Sequence, residues 1–250
     1  VIAAVSALAV FSWFFTRKMI RPLEKSRKEQ NAFIAAASHE LRSPLTVIQT
    51  SLSAVSYADP EQTEHFISIS LDECKRMSRL IQDMLSLSRS DNHTWVLDCT
   101  SCEIDTLLLD VYEKYEQTAR HKKKQLLIEL PEDSLPVCFC DSLKISQALA
   151  ILIDNALAYV PEGGMIRLSA RQEAASVSLF VADNGPGIPD SEKEAVFQRF
   201  YRSDTSRNDK QHFGLGLCIA KEIALLHHGT LSVSDTPGGG ATFQLKLPVH

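Results

Sequence analysis

Glycine is confined to one end of this chain. All ten glycines lie at or after Gly163. Everything before that point must therefore be built from conformations open to any L residue, and helices with short turns suffice. Residues 163–250 must contain backbone that needs glycine's freedom. The chain divides into two regimes before any motif is considered, and its 250 residues suit two domains of ordinary size. A hydrophobic fraction of 44% with 23% charged residues excludes wholesale disorder. The mildly acidic pI near 5.9 argues against a general nucleic-acid binder, so no direct nucleic-acid partner is expected. Six scattered cysteines are too few for a disulfide scaffold and point to a reducing compartment.

The first stretch, VIAAVSALAVFSWFF over residues 1–15, carries no charge. It is shorter than the roughly 20 residues needed to span a bilayer. The sequence begins with Val rather than Met, so the expectation is a fragment cut inside or beside a spanning helix. Trp13, Phe14 and Phe15 sit where an interfacial aromatic belt belongs. Arg17, Lys18, Arg21, Lys25, Arg27 and Lys28 follow within a dozen residues, against one Glu. Such a flank places residues from about 17 onward in the cytoplasm of a membrane-anchored protein. A signal peptide would carry its charges before the apolar run instead. A buried soluble helix is the remaining alternative.

Between residues 33 and 55 apolar side chains recur at Ala37, Leu41, Leu45, Ile48, Leu52 and Val55, a helical stripe. Ile67, Leu71, Cys74, Met77, Ile81, Met84 and Leu85 form a second stripe. Asp59 as cap, Pro60 at the first helical position and Gln62 at the capping-box spacing join the two. A two-helix hairpin buries too little alone, so dimerisation into a four-helix bundle is expected. His39 lies two residues from both Ala37 and Leu41, about 200° around the helix from each, and so faces solvent. Glu40 follows it. Pro44 lacks the N–H that would bond the Glu40 carbonyl, and a bend is expected there. An exposed imidazole beside a carboxylate and a bend is a candidate for chemistry; a histidine on a solvated face is the plainer alternative.

From about Thr94 short strands alternate with helices. Expected strands are 95–97, 126–130, 137–140, 165–171, 177–183, 230–234 and 241–247. Expected helices are 104–120, 142–160, 191–200 and 214–227. That order suggests an α/β sandwich, a sheet with helices on one face. No P-loop and no G-x-G-x-x-G unit is present, so phosphate must be held differently. Gly214-Leu215-Gly216-Leu217 opens a helix, where free N–H groups and the positive dipole end attract phosphate oxygens. Asp183 ends an alternating apolar strand, and an acceptor-only carboxylate suits an exocyclic amine such as that of adenine. Gly185 and Gly187 leave room for a flat ring. The spacing of Cys99, Cys102, Cys138 and Cys140 allows a four-thiolate zinc site, with small apolar packing residues as the alternative.

The segment FIAAASHELRSPLT over residues 33–46 resembles the phospho-acceptor box of bacterial sensor histidine kinases. Asp154-Asn155-Ala156, the Asp183–Pro189 loop and the Gly214–Leu217 helix start together resemble the nucleotide boxes of that family's Bergerat-type ATP domain. The resemblance covers residues 21–250. It implies an α+β protein: a truncated transmembrane segment with its flank (1–20), a helical-hairpin dimerisation and phospho-acceptor domain (21–92), and a catalytic ATP-binding domain (93–250). It implies His39 as phospho-acceptor, with Glu40 to orient or deprotonate it and Ser43 available to position water in dephosphorylation. It implies ATP with Mg²⁺ carried by Asn155, and Tyr159 as the aromatic at the nucleotide pocket. Residues 196–202 match the phenylalanine box, with Arg199 and Arg202 available to phosphate, and the lid runs to Phe213. Residues 238–243, Thr242 included, match the last glycine box. The implied partners are a separate response regulator, a second copy of the chain and the bacterial inner membrane.

The sequence departs from that pattern in four places. Ile151 stands where the family usually has Asn, and Ala158 where it usually has Lys. Arg199, Arg202 or Lys210 can supply the missing charge. His212 replaces a lid glycine, and Ser43 a more common Thr. Related gyrase-, MutL- and Hsp90-like ATPases carry a water-activating Glu at the position of Ile151. Isoleucine cannot act so, which leaves His39 as the nucleophile for ATP. A regulator phosphatase or a nucleotide-sensing scaffold with weakened kinase activity is the alternative reading.

Overall fold

The structure is a computed structural model describing residues 2–92, 94–203 and 213–249. Lys210 and His212 lie outside the described residues. The chain forms two compact units, Val1–Arg79 and Leu80–His250.

The first unit is helical throughout. Helix α1 (Ile2–Phe15) passes through a π-helical turn (Thr16–Ile20) into α2 (Arg21–Val55). No helix among the described residues is long and apolar enough to cross a membrane. Trp13 and Phe14 lie exposed under cations, with Arg17 4.5 Å from the first ring centroid and Lys18 5.4 Å from the second. Helix α2 continues through Pro44. Its buried positions Ala37, Pro44 and Ser51 recur every seven residues, a single seam. Leu45 and Leu52, two of the six residues of the apolar stripe read from the sequence, are instead 47% and 54% exposed. The turn works as its residues dictate: Asp59 Oδ1 accepts from the Gln62 N–H at 2.8 Å, and Pro60 opens α3 (Pro60–Asp91). Ile67 and Leu71 on α3 are likewise exposed.

The second unit contains the end of α3 and a sandwich. Strand β1 (Thr100–Glu103) pairs antiparallel with β3 (Val137–Cys140) in a small sheet. The main sheet has the order β2-β4-β5-β7-β6, from β2 (Gln125–Glu129), β4 (Met165–Glu173), β5 (Ser176–Asp183), β6 (Thr230–Asp235) and β7 (Ala241–Pro248). Only β2 and β4 run parallel. Alternation sorts the two faces. Val177, Leu179, Val181, Phe243, Leu245 and Leu247 are sealed with Leu108, Leu149, Leu152, Ile153 and Ile219 from α4 (Ile104–His121), α5 (Ser142–Tyr159) and α6 (Gly216–Leu226). The alternate positions carry a polar cluster in which Ser178 donates to Glu173 at 3.2 Å, Gln244 donates to Ser178 at 3.0 Å, and Lys246 pairs with Glu173.

Helices α5 and α6, which frame the site below, are fixed to each other at their far ends. Asp141 caps α5 through the Lys144 N–H at 3.1 Å. Its own N–H donates to His227 Nε2 at 3.0 Å, while His227 Nδ1 faces the Ile223 carbonyl at 2.8 Å. These two bonds assign the ring proton to Nδ1.

Three expectations need correction. The strand expected at 95–97 is irregular chain, and pairing begins at Thr100 because β1 is defined by its partner β3. The helix expected over 191–200 is reduced to a 3₁₀ turn at Ala195–Phe197. Phe200 turns to φ 59 and its N–H bonds the Gly214 carbonyl at 2.9 Å, a long-range contact that overrides local helical preference. Helix α6 starts at Gly216, because Gly214 at φ +73 belongs to the preceding turn.

Candidate active site

In the first unit His39 is exposed on α2, on the side away from buried Ala37, as the 200° offset requires. Glu40 beside it is half-buried, Pro44 one turn on is buried, and Ser43 is exposed. Ser38 spends its hydroxyl on the Ile34 carbonyl at 2.8 Å, and Thr46 on that of Arg42 at 3.0 Å. Proline removes the donor that the Glu40 carbonyl would otherwise receive. The imidazole is therefore presented to water by a helix whose hydrogen-bond ladder is interrupted one turn away.

In the second unit two loops meet at Asp183, the last residue of β5 and 7% exposed. Its Oδ1 accepts from the Gly185 N–H at 2.8 Å and from the Ala241 N–H at 3.2 Å. No donor among the described residues meets Oδ2. Burial raises the carboxyl above its ordinary value, and the two amide bonds pull in the opposite direction. The approach is close enough to demand glycine. A Cβ on Gly240, at φ +107, would lie 1.9 Å from the Asp183 carbonyl oxygen. Gly185 sits against the Tyr159 carbonyl, 3.6 Å from where its Cβ would be.

Helix α5 links this end to the start of α6. Ile151, Asn155 and Tyr159 recur every four residues on one face, a span of about 12 Å. At one end the Ile151 methyl lies 3.0 Å from a Cβ built on Gly216. At the other, Tyr159 is 37% exposed beside Gly185. Half-buried Asn155 lies between them. Among the described residues no side chain caps α6, whose first turn holds Gly216 and half-buried Leu217 behind buried Leu215. This face of α5 thus runs from the Asp183 end to the start of α6, whose first turn no side chain caps among the described residues, with a neutral amide midway. The Asp154 carboxylate, next to Asn155, is turned to the Tyr115 hydroxyl at 3.1 Å, and that pairing with burial pushes the phenol up.

Some sequence-derived residues lie elsewhere. The Thr242 hydroxyl meets that of Thr236 at 2.8 Å, and its buried neighbours Ala241 and Phe243 point the other way; the backbone of Ala241 is what reaches Asp183. The Arg199 guanidinium is paired with Asp91, and Arg202 is half-buried. Gly240 and Ala241 act through backbone alone, which a residue-type reading overlooks. Cys102 stands opposite Cys138 in the β1–β3 pair, and burial raises both thiols and that of Cys140, the last to about 12. Among the described residues no group of three or more His, Cys, Asp or Glu side chains is placed to hold a metal.

These two halves match two known families in the same order. Residues 29–93 match the His Kinase A (phospho-acceptor) domain, and residues 140–250 match the Histidine kinase-, DNA gyrase B-, and HSP90-like ATPase family. The chain belongs to the sensor histidine kinases. It is 31% identical to the adaptive-response sensory kinase SasA of Crocosphaera subtropica, over 95% of this chain and 64% of that protein. It is 35% identical to the sensor histidine kinase WalK of Bacillus subtilis, over 90% of this chain and 38% of that one. The chain thus spans less than two thirds of the length of these relatives. Among solved structures, the Acinetobacter baumannii histidine kinase AdeS superposes with a TM-score of 0.68 at 25% identity, covering 85% of this chain and 98% of that one. Histidine kinase ThkA, solved with the response regulator TrrA, superposes with a TM-score of 0.73 over 97% of this chain and 67% of that one; at 23% identity the likeness is one of fold. As a histidine-kinase phospho-acceptor domain, the 29–93 segment contains His39, Glu40 and Ser43. The ATPase-family segment contains Asn155, Asp183 and the start of α6.

Proposed function

We propose that this chain phosphorylates His39 from ATP and passes the phosphoryl group to an aspartate of a separate response regulator. The observation that carries this reading is the Asp183 carboxylate, sealed on Oδ1 by two backbone amides and left with Oδ2 for a donor such as the adenine amino group. Along the α5 wall from that point, the uncapped start of α6 offers N–H groups and a positive dipole end to phosphates. Gly185 and Gly187 make room for the base beside Tyr159. Leu215 and Leu217 seat the helix start between Gly214 and Gly216. Arg202 is the cation proposed for the phosphates; Arg199 serves there only if it leaves Asp91. The amide oxygen of Asn155 suits a hard cation already held by phosphates and water, so it would hold Mg²⁺. When bound, Mg²⁺ neutralises phosphate charge. Thr242 is retained only as a support of the β7 loop.

In the proposed reaction an imidazole nitrogen of His39 attacks the γ-phosphorus. The N–P bond forms as the bond to the β-phosphate oxygen breaks, and ADP leaves. Glu40 orients the ring and takes its proton. Ser43 positions water when the phosphohistidine or the regulator is dephosphorylated. The proposed boundaries are 1–20, 21–92 and 93–250. Exposed Leu45, Leu52, Ile67 and Leu71 supply the apolar face for a second copy of the chain. The uncharged α1 with its aromatic and basic flank is proposed as the end of a membrane anchor, with residues from about 17 in the cytoplasm.

A second reading has its own observation. Ile151 fills the space against Gly216 with a hydrocarbon, and Ala158 offers no charge, so a weakened kinase acting as regulator phosphatase or nucleotide-sensing scaffold also fits. Incubation with γ-labelled ATP and Mg²⁺ separates the two. Acid-labile label on the wild type and none on His39→Gln is expected. Nucleotide binding without label transfer supports the scaffold, and turnover indifferent to His39 overturns both.

A further inference from the structure

The last turn of α3 is tied twice to the ATP-binding fold, and all four residues involved belong to the second unit. The Asp91 carboxylate receives both terminal nitrogens of Arg199: Nη1 donates to Oδ2 at 2.8 Å and Nη2 to Oδ1 at 2.5 Å. This is the two-toothed pairing that fixes direction as well as distance. Next to it the Ser90 hydroxyl donates to Glu222 Oε2 on α6 at 2.8 Å, and Ser90 is buried. Arg199 follows the 3₁₀ turn at 195–197, while Glu222 lies in α6 itself, so residues 90 and 91 grip two separate elements beside the proposed phosphate end. Beyond Asp91, among the described residues, regular structure resumes at Thr100, with the Asp98 N–H held by Asp141 Oδ2 at 3.1 Å.

We propose that Asp91–Arg199 and Ser90–Glu222 form a clasp that fixes where the linker leaves α3, and that Asp91 is a positioning residue for phosphoryl transfer to His39. This rests on the kinase reading above. A partly exposed ion pair alone contributes little stability. Two ties on neighbouring residues instead remove the rotational freedom of the chain at its exit, and that freedom governs how often a catalytic fold on a short tether presents ATP productively. In the clasp Arg199 acts through the linker and not by touching nucleotide. Asp91, beside it, raises the guanidinium further above its already high ordinary value.

The test uses the full chain. Asp91→Asn should raise amide hydrogen exchange over residues 94–98 at least threefold. It should change the rate constant for His39 labelling at least threefold while KM for ATP stays within twofold. The charge-reversed pair Asp91→Arg with Arg199→Asp should restore both readouts toward wild type. A change in KM with unchanged exchange would make Arg199 a nucleotide ligand and overturn the clasp. So would unchanged exchange in Asp91→Asn, or failure of the reversed pair to restore it. If the wild type fails to label His39, the kinase reading falls, and the exchange measurement still decides the clasp.

Discussion

Asp183→Asn is the substitution that the site geometry constrains most tightly. Asparagine in the same rotamer keeps an oxygen where Oδ1 accepts from Gly185 and Ala241, so both backbone bonds persist. The other atom becomes an NH₂ in place of Oδ2. Two donors then face each other across the proposed contact with the adenine amino group, and a charge-assisted bond is lost. Hydrogen bonds to charged groups contribute about 1.5–3 kcal/mol, so ATP affinity should fall roughly 10- to 150-fold. The new donor suits a 6-oxo purine, so ITP should lose far less and can overtake ATP. Competition against a fluorescent nucleotide, with ATP and ITP compared on both proteins, reads this directly. Stability should move the other way. Burial raises the Asp183 carboxyl in the folded state, so the native state holds its proton more tightly than the unfolded chain. Stability from that group is fully present below the ordinary carboxylate value and is lost as pH rises through the raised one. The nucleotide-free variant should therefore melt at or above the wild type at neutral pH, with the advantage fading in acid. Equal loss of ATP and ITP affinity with an unchanged melting temperature would refute the placement of the base at Asp183.

Two further outcomes follow from packing. Gly240→Ala puts a methyl 1.9 Å from the Asp183 carbonyl oxygen at a φ of +107, and strain at such a position costs on the order of 1–3 kcal/mol; thermal unfolding should shift down by several degrees, and nucleotide affinity should fall because the Ala241 N–H leaves Asp183. Leu52→Glu with Leu71→Glu places charge on two exposed apolar positions; light scattering should find a smaller particle than the wild type, with the melting of the ATP-binding fold unchanged.

Much of the fold was legible because its signals are local. The cap at Asp59 and the alternation in β5 each lie within a few residues of the structure they specify. His39 was legible for the same reason: its exposure follows from a two-residue offset on a helix. The failures share the opposite property. The 191–200 segment has helical composition, yet its path is set by a bond from Phe200 to Gly214, across the lid. Strand β1 cannot be located without knowing that Val137–Cys140 lies beside it. Asp91 and Arg199 are 108 residues apart, and nothing in either neighbourhood names the other. Thr242 enters through the match of residues 238–243 to the last glycine box; in space its hydroxyl meets that of Thr236, and the contact to Asp183 is made by the backbone N–H of Ala241.

Ile151 shows how a departure from the family pattern is absorbed. In sequence it removes a polar group from the phosphate end. In space its methyl lies on the side of α6 where Gly216 has no side chain, so hydrocarbon packs on backbone. The Ile151 methyl packs beside Gly216, the first residue of α6. On the proposed reading the phosphates are held by the helix start, Asn155 and Arg202, without a polar side chain at position 151. An enzyme arranged in this way has no carboxylate at that position to activate water against bound ATP. On the proposed kinase reading the change removes one polar group from the phosphate end, and, with no carboxylate there to activate water, the His39 imidazole is the acceptor that the remaining chemistry favours.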